Sequence, residues 1–212
     1  MADAAGGSEE LLGRVRRGDE HALAELFSQH RERLWRILHF RLDRRLHGRV
    51  DADDVLQEAY LDAVSRIRHF KGECAVSFFV WLRLIVNQTL VDVHRRHLGA
   101  QMRDAQREVA GQGGRYPATT TFSLAANLLG HLTSPTLAAR RAELSTQLEA
   151  TLDGMDPIDR EVLALRHFEE LTNSEVAEAL GIEQKAASIR YVRALRRLKE
   201  ILVEIPDFQV DD

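Results

Sequence analysis

The chain has 212 residues, 44% of them hydrophobic and 29% charged, with a formal net charge of -4 and a pI near 6.1. That composition fits a globular, soluble protein of one large domain or two small ones, and it excludes a membrane span, because no run of about 18 consecutive apolar residues occurs. The N-terminal MADAAGGSEE has neither the basic nor the apolar region of a signal peptide, and Cys74 is the only cysteine, so no internal disulfide and a cytoplasmic location are expected.

Residues 8–97 read as helical. Asp19 is a plausible N-cap for a first long helix. Behind it Leu23, Leu26, Phe27, His30, Leu34, Ile37, Leu38 and Leu42 recur at three- and four-residue spacing, which makes one apolar stripe. Arg31, Arg33, Arg36, Arg41, Arg44 and Arg45 fall on its other faces. DADDVLQEAYLDAVSRI opens a second helix, with Val55, Leu56, Ala59, Tyr60, Ala63, Val64 and Ile67 as its buried face. Asp54, Glu58 and Asp62 stand four apart and line one exposed stripe; from Asp51 to Asp62 there are five acids and no base. A third helix is predicted from about Ser77 to His97. Phe78, Trp81, Leu82, Ile85, Val86, Leu90 and Val93 form its core side, and Arg83, Asn87, Arg95 and Arg96 remain as polar positions.

Residues 98–134 contain five of the thirteen glycines, Pro117 and the run Thr119-Thr120-Thr121, which reads as a linker or partly ordered connector. Residues 135–205 are helical again, and no useful β-alternation occurs anywhere. The expected fold is therefore all-α, with two small helical domains, 8–97 and 135–205, on a tether. Ser134 or Ser145 could start a helix, and Asp156-Pro157 reads as the cap and first residue of another.

In LTNSEVAEALGIEQKAASIRYVRALRRLKEIL, Thr172 or Asn173 can cap a helix over 174–180, and Gly181 is a stop. A second helix begins near Glu183 or Gln184. Short helix, tight turn and longer helix make a helix-turn-helix. Ala187, Tyr191, Ala194 and Leu198 form the inner face of the second helix. Lys185, Ser188, Arg190, Arg193, Arg196, Arg197 and Lys199 are left outside, and Glu183 and Glu200 are the only acids from 183 to 200. Such a helix fits the DNA major groove. The same residues also fit an ordinary helix-turn-helix regulator, or an interaction protein whose basic helix is merely solvated.

Catalytic signals are missing. His94 and His97 are three apart, without the four-residue spacing usual for paired helical metal ligands. They read instead as surface or phosphate-facing groups. GQGGR at 111–115 lacks the following Lys-Ser/Thr of a phosphate loop, and no G-x-S-x-G elbow occurs. No catalytic residue, metal or cofactor is expected.

The segment DREVLALRHFEELTNSEVAEALGIEQKAASIRYVRALRRLKEIL resembles region 4 of bacterial RNA polymerase sigma factors of the sigma-70 family, extracytoplasmic-function (ECF) type. DADDVLQEAYLDAVSRI followed by FFVWLRLIVNQTLVDVHRR resembles region 2 of the same family, in the same order. The resemblance implies a non-enzymatic transcription initiation factor. It would bind core RNA polymerase and direct it to promoters by recognising −10 and −35 elements and assisting DNA melting. Asp54, Gln57 and Glu58 would dock on the clamp helices of the β′ subunit, and region 4 would meet the β flap. His69, Phe70, Lys71, Arg83, Asn87, Arg95 and Arg96 would serve the −10 element. Lys185, Ser188, Ile189, Arg190, Arg193, Arg196 and Arg197 would serve the −35 element, although Ala186-Ala187 replaces the more usual Thr-Val of that helix. An anti-sigma factor is a further partner the family implies, and no residue here identifies one. Opposite charge on the two segments explains how a basic helix sits in an acidic chain.

Overall fold

The apolar stripe of the first section needs partners, and neighbouring helices supply them. In the computed structural model, which describes residues 2–43, 46, 48–70, 75–98, 120–130 and 141–204, α1 spans Ala2–Arg16, α2 Glu20–Arg41, α3 Ala52–Arg66 and α4 Ala75–Leu98. No strand occurs among the described residues. The chain divides into two compact units, Met1–Arg103 and Asp104–Asp212.

In the first unit, Gly18 takes the left-handed conformation (φ 82°) that the tight turn before α2 requires. Asp19 then caps α2. Its Oδ1 accepts the backbone N–H groups of His21 and Ala22 at 2.9 and 3.1 Å, and its Oδ2 accepts Arg14 Nε–H at 2.8 Å. Leu23, Leu26, Phe27, Leu34, Ile37 and Leu38 of α2 are buried against Val55, Leu56, Ala59 and Ala63 of α3 and the core side of α4. On α4, Phe79 is buried beside the expected Phe78, and the Arg33 guanidinium lies 3.6 Å from its ring centroid. Arg41 and His94 depart from expectation at this junction. Arg41, assigned to an outer face, is buried, with its guanidinium 5.6 Å from the Phe40 ring. His94, assigned to the surface, is buried as well. His94 is enclosed where the chain turns back after α2: Asp43 N–H donates to His94 Nε2 at 3.2 Å, joining the end of α2 to α4.

In the second unit, α5 (Thr120–Gly130) lies inside the stretch read as a linker. Leu124, Ala125 and Leu129 are buried, and α5 packs on α6 (Arg141–Asp153), whose Leu144, Leu148 and Leu152 recur every fourth residue. The breaker content around this short segment hid its apolar face. Ser145 does not start a helix; it sits one turn inside α6 and donates to Glu149 Oε1 at 2.8 Å. Ser134 lies outside the described residues. Helix α7 (Pro157–Leu163) begins as expected, with Asp156 accepting the N–H groups of Ile158 and Asp159 and Pro157 in the first turn. It then widens into a π-helical turn, Ala164–Phe168, that no sequence signal announced.

Helix α8 spans Asn173–Leu180 and α9 spans Gln184–Glu204. Thr172 and Glu175 close a reciprocal capping box at the start of α8. At its end Gly181 is left-handed (φ 65°), and Ile182 N–H reaches Ala177 O at 2.9 Å. Both tryptophans, Trp35 and Trp81, lie in the first unit, so fluorescence and circular dichroism can separate the two. Thr172→Ala should lower the stability of the second unit by about 1 kcal/mol. The dichroism-detected urea midpoint should fall while the tryptophan-detected transition stays in place.

Candidate nucleic-acid interface

The helix-turn-helix angle is fixed by a shared core and one polar tie. Val176, Ala177 and Leu180 of α8 are buried with Ala187, Ala194, Leu198 and Ile201 of α9. Asn173 Nδ2 donates to Gln184 O at 2.8 Å, joining the first residues of the two helices. With 187, 194 and 198 turned inward, 3.6-residue periodicity turns 185, 189, 192, 196 and 199 outward. Lys185, Ser188, Ile189, Val192, Arg196 and Lys199 are all exposed. Ile189 and Val192 stand out among the cations of the N-terminal half, 58% and 57% exposed; Leu195 at the edge of the face and Val203 near the helix end are exposed apolar side chains as well.

The arginines of α9 are not equivalent. Arg193 donates from Nε and Nη2 to the two carboxylate oxygens of Asp159 at 2.6 and 2.8 Å. Arg190 Nη1 donates to Asp159 Oδ1 at 2.8 Å and lies 3.6 Å from Asp156. The Asp159 side chain is only 6% exposed. Burial alone would push its carboxyl up, but hydrogen bonds and charge from Arg193 and Arg190 prevail and hold it below the usual carboxylate range. The same pairing raises Arg193. Arg197 pairs with Glu200 at 3.0 Å in an exposed i,i+3 contact of little energetic weight. Lys185 and Arg196 make no ion pair among the described residues. Arg166, on the π-helical turn, donates to Leu171 O at 2.7 Å and lies 5.3 Å from the Tyr191 ring, tying that turn to α9.

The first unit carries the acidic stripe. Asp54 and Gln57 are exposed. Glu58 is engaged, since both its oxygens accept Arg96 Nη2 at 2.8 and 2.7 Å. Asp53 pairs with Arg31 at 2.8 Å and Asp62 with Arg66 at 3.1 Å, so much of the stripe has an intramolecular cation beside it.

The expected −10 residues separate by burial. His69 and Arg95 are exposed, and Arg95 pairs with Asp92 at 3.2 Å. Phe70 was expected to stand out as a stacking group. It is buried instead, its ring 5.4 Å from Phe78 and 5.0 Å from Trp81, so the local aromatic core occupies its faces. Arg83, expected on a polar face, is also buried, and Leu84 takes the exposed position beside it. Asn87 is half-buried, with its Oδ1 enclosed and without a hydrogen-bond partner among the described residues. Lys71 and Cys74 lie outside the described residues. Among the described residues no group of three His, Cys, Asp or Glu side chains could hold a metal ion, and no helix is long and apolar enough to cross a membrane.

Two features were missed in the sequence. Val192 was detectable from its spacing to Ile189 and Arg196. Asp159 was not, because its partners are 31 and 34 residues away.

Comparison with known proteins supplies context for this geometry. The family described as Sigma-70 region 2 matches residues 26–98, and Sigma-70, region 4 matches residues 151–200. The RNA polymerase sigma-H factor of Pseudomonas aeruginosa is 25% identical over 195 residues, covering 92% of this chain and 93% of that protein. The ECF RNA polymerase sigma factor SigD of Mycobacterium tuberculosis is 27% identical, covering 90% and 82%. The ECF RNA polymerase sigma factor SigW of Bacillus subtilis is 24% identical, covering 93% and 97%. A solved structure of CnrH in complex with the cytosolic domain of CnrY shares the fold at a TM-score of 0.51 and 21% identity, covering 93% of this chain and 97% of that one.

Asp159 makes the second unit acid-sensitive. A carboxyl held lower in the folded chain than the ordinary 3.8 contributes stability that is fully present above that value. The contribution is lost as pH falls through the depressed folded pKa. Acid titration should therefore lower the stability of the second unit progressively below about pH 4, and Asp159→Asn should flatten that dependence when dichroism-detected stability is measured from pH 6 to pH 2.

Proposed function

Because the chain belongs to the sigma-70 family of RNA polymerase sigma factors, ECF type, it is a promoter-recognising transcription initiation factor, and we propose how its two units divide that work. Residues 8–97 act as region 2, binding core polymerase and opening the −10 element. Residues 135–205 act as region 4, gripping the −35 element, with 98–134 as the intervening segment. The buried face of α5, inside that segment, favours counting Thr120–Gly130 with the second unit. Each contact raises the effective concentration of the other. The protein has no active site of its own; polymerase performs the chemistry, in the cytoplasm.

One observation carries the DNA assignment: the face of α9 opposite its core combines exposed cations with exposed apolar side chains, Ile189 and Val192 in its N-terminal half and Val203 near its end. Lys185 and Arg196 suit phosphates, and Ser188 can serve a phosphate or a base edge. Ile189, and beside it Val192, suit the methyl group of thymine, the main apolar feature of the major groove. Arg190, Arg193 and Arg197 lie along the flank and would meet phosphates.

In region 2, Asp54 and Gln57 are the direct contacts with the β′ clamp helices. Glu58 joins them by exchanging Arg96 for a cation on polymerase, which releases Arg96 for DNA. His69, Lys71, Asn87 and Arg95 are the −10 contacts, while Phe70 and Arg83 support them from within. The β flap would receive region 4. An anti-sigma factor is a further partner, and the CnrH–CnrY complex, a solved assembly of a protein sharing this fold, supports looking for one.

Run-off transcription tests the whole reading. The full chain with core polymerase should initiate at promoter fragments selected from genomic DNA, and should bind those fragments far more weakly without core. Tight core-independent binding with no transcript would identify an ordinary helix-turn-helix regulator instead. Gln57→Ala combined with Glu58→Ala should weaken core binding by about tenfold, the loss of about 1.4 kcal/mol. The melting transition of the second unit should not move.

A further inference from the structure

We propose that Asp159 is a positioning residue for DNA recognition, fixing the guanidinium groups of Arg190 and Arg193 so that α9 meets the phosphate backbone in one register. The proposal rests on the reading of α9 as the duplex-contacting helix, and it concerns a residue of α7 outside the helix-turn-helix.

Asp159 cannot meet a ligand itself, because its side chain is 6% exposed beneath the two arginines. Its oxygens accept three N–H groups, two of them from Arg193 in a bidentate pair. A guanidinium is planar, so fixing its Nε–Nη2 edge also fixes the direction of the remaining Nη1 N–H groups. Arg193 keeps 56% of its side chain exposed, which leaves that outer edge available to a phosphate. Arg190, 26% exposed, is held more deeply, with Asp156 on its far side.

Helix α9 thus carries two kinds of cation. Lys185 and Arg196 are exposed and unpaired among the described residues, and they lose side-chain freedom when they bind. Arg190 and Arg193 have lost it already. Flexible cations follow any duplex and supply affinity regardless of sequence. Cations fixed in direction are satisfied only when the helix lies in a particular register, and a wrong register leaves them misaligned. Asp159 in this way converts part of the sequence-independent charge of α9 into discrimination.

The test uses holoenzyme reconstituted from the full chain. Equilibrium binding is measured over a range of salt concentrations on a fragment selected by the wild-type holoenzyme, and on the same fragment with its upstream element scrambled. Asp159→Asn preserves side-chain volume and frees both arginines. It should lower the preference for the intact fragment by about tenfold while binding to the scrambled fragment stays equal or tightens. Arg193→Lys keeps the charge and the carboxylate but loses the fork, and should show the same signature even if Asp159→Asn folds poorly. Arg196→Ala should weaken binding to both fragments alike and reduce the salt slope by about one. Equal losses on both fragments for Asp159→Asn and Arg193→Lys would overturn the proposal and leave Asp159 as a support of the fold. An unchanged preference in Arg193→Lys would overturn it too. If the wild-type holoenzyme fails to prefer the intact fragment, the assignment of α9 to DNA is wrong, and the role of Asp159 falls with it.

Discussion

A carboxylate removed from water must be surrounded by donors, and Asp159 meets that requirement with two arginines from another helix. Much of the second unit is organised around this demand. Asp156 begins α7 and places Asp159 in its first turn, where the helix dipole also favours negative charge. Helix α9 must then run close enough to α7 for residues 190 and 193 to reach back. Once that flank is tied to α7, and Ala187, Ala194 and Leu198 fill the core, the face bearing Lys185, Ile189, Val192 and Arg196 is left fully to solvent, with the outer edge of Arg193 beside it. The outward face of α9 is thus what remains after two sets of inward contacts are satisfied.

The first unit shows a related economy with a different outcome. Glu58 and Arg96 neutralise each other across α3 and α4, but both side chains are about half exposed, so the pair is weak and exchangeable. Asp159 and its arginines form the opposite kind of pair, sheltered and multiply bonded. An exposed pair suits residues proposed to change partners, whereas a buried carboxylate with several donors suits residues proposed to hold still. Intramolecular pairing in both units also lowers the free charge that each offers. Together with the net charge of -4, this favours a factor whose free form has little attraction for DNA and which gains its grip through polymerase.

Sequence periodicity served well wherever packing was local. Asp19, Asp156 and Gly181 sit where their side-chain and backbone chemistry put them, and the stripes of α2, α3 and α9 are mostly buried as their spacing required, with His30, Tyr60, Val64 and Tyr191 half-buried at their edges. It failed where long-range contacts override a local preference. Arg41 and Arg83 are long polar side chains at positions that read as solvated, and the tertiary fold encloses both. Phe70 reads as a loop aromatic, yet the neighbouring Phe78 and Trp81 rings draw it inward. The helix at Thr120–Gly130 was hidden by the glycines and threonines around a short apolar face that only α6 makes worth burying.

The sequence by itself determined the all-helical class, the helix-turn-helix and its caps, and the segregation of acidic and basic segments, together with the family resemblance they carry. These depend on interactions within a few residues, which spacing encodes directly. Only the tertiary structure decided which charges are free. Asp159 meets Arg190 and Arg193 across 31 and 34 residues, and Glu58 meets Arg96 across 38. No period of 3.6 residues links such positions. Their pairing is fixed only when helices pack, and packing is set by the shapes of the buried faces on the opposite sides of the same helices.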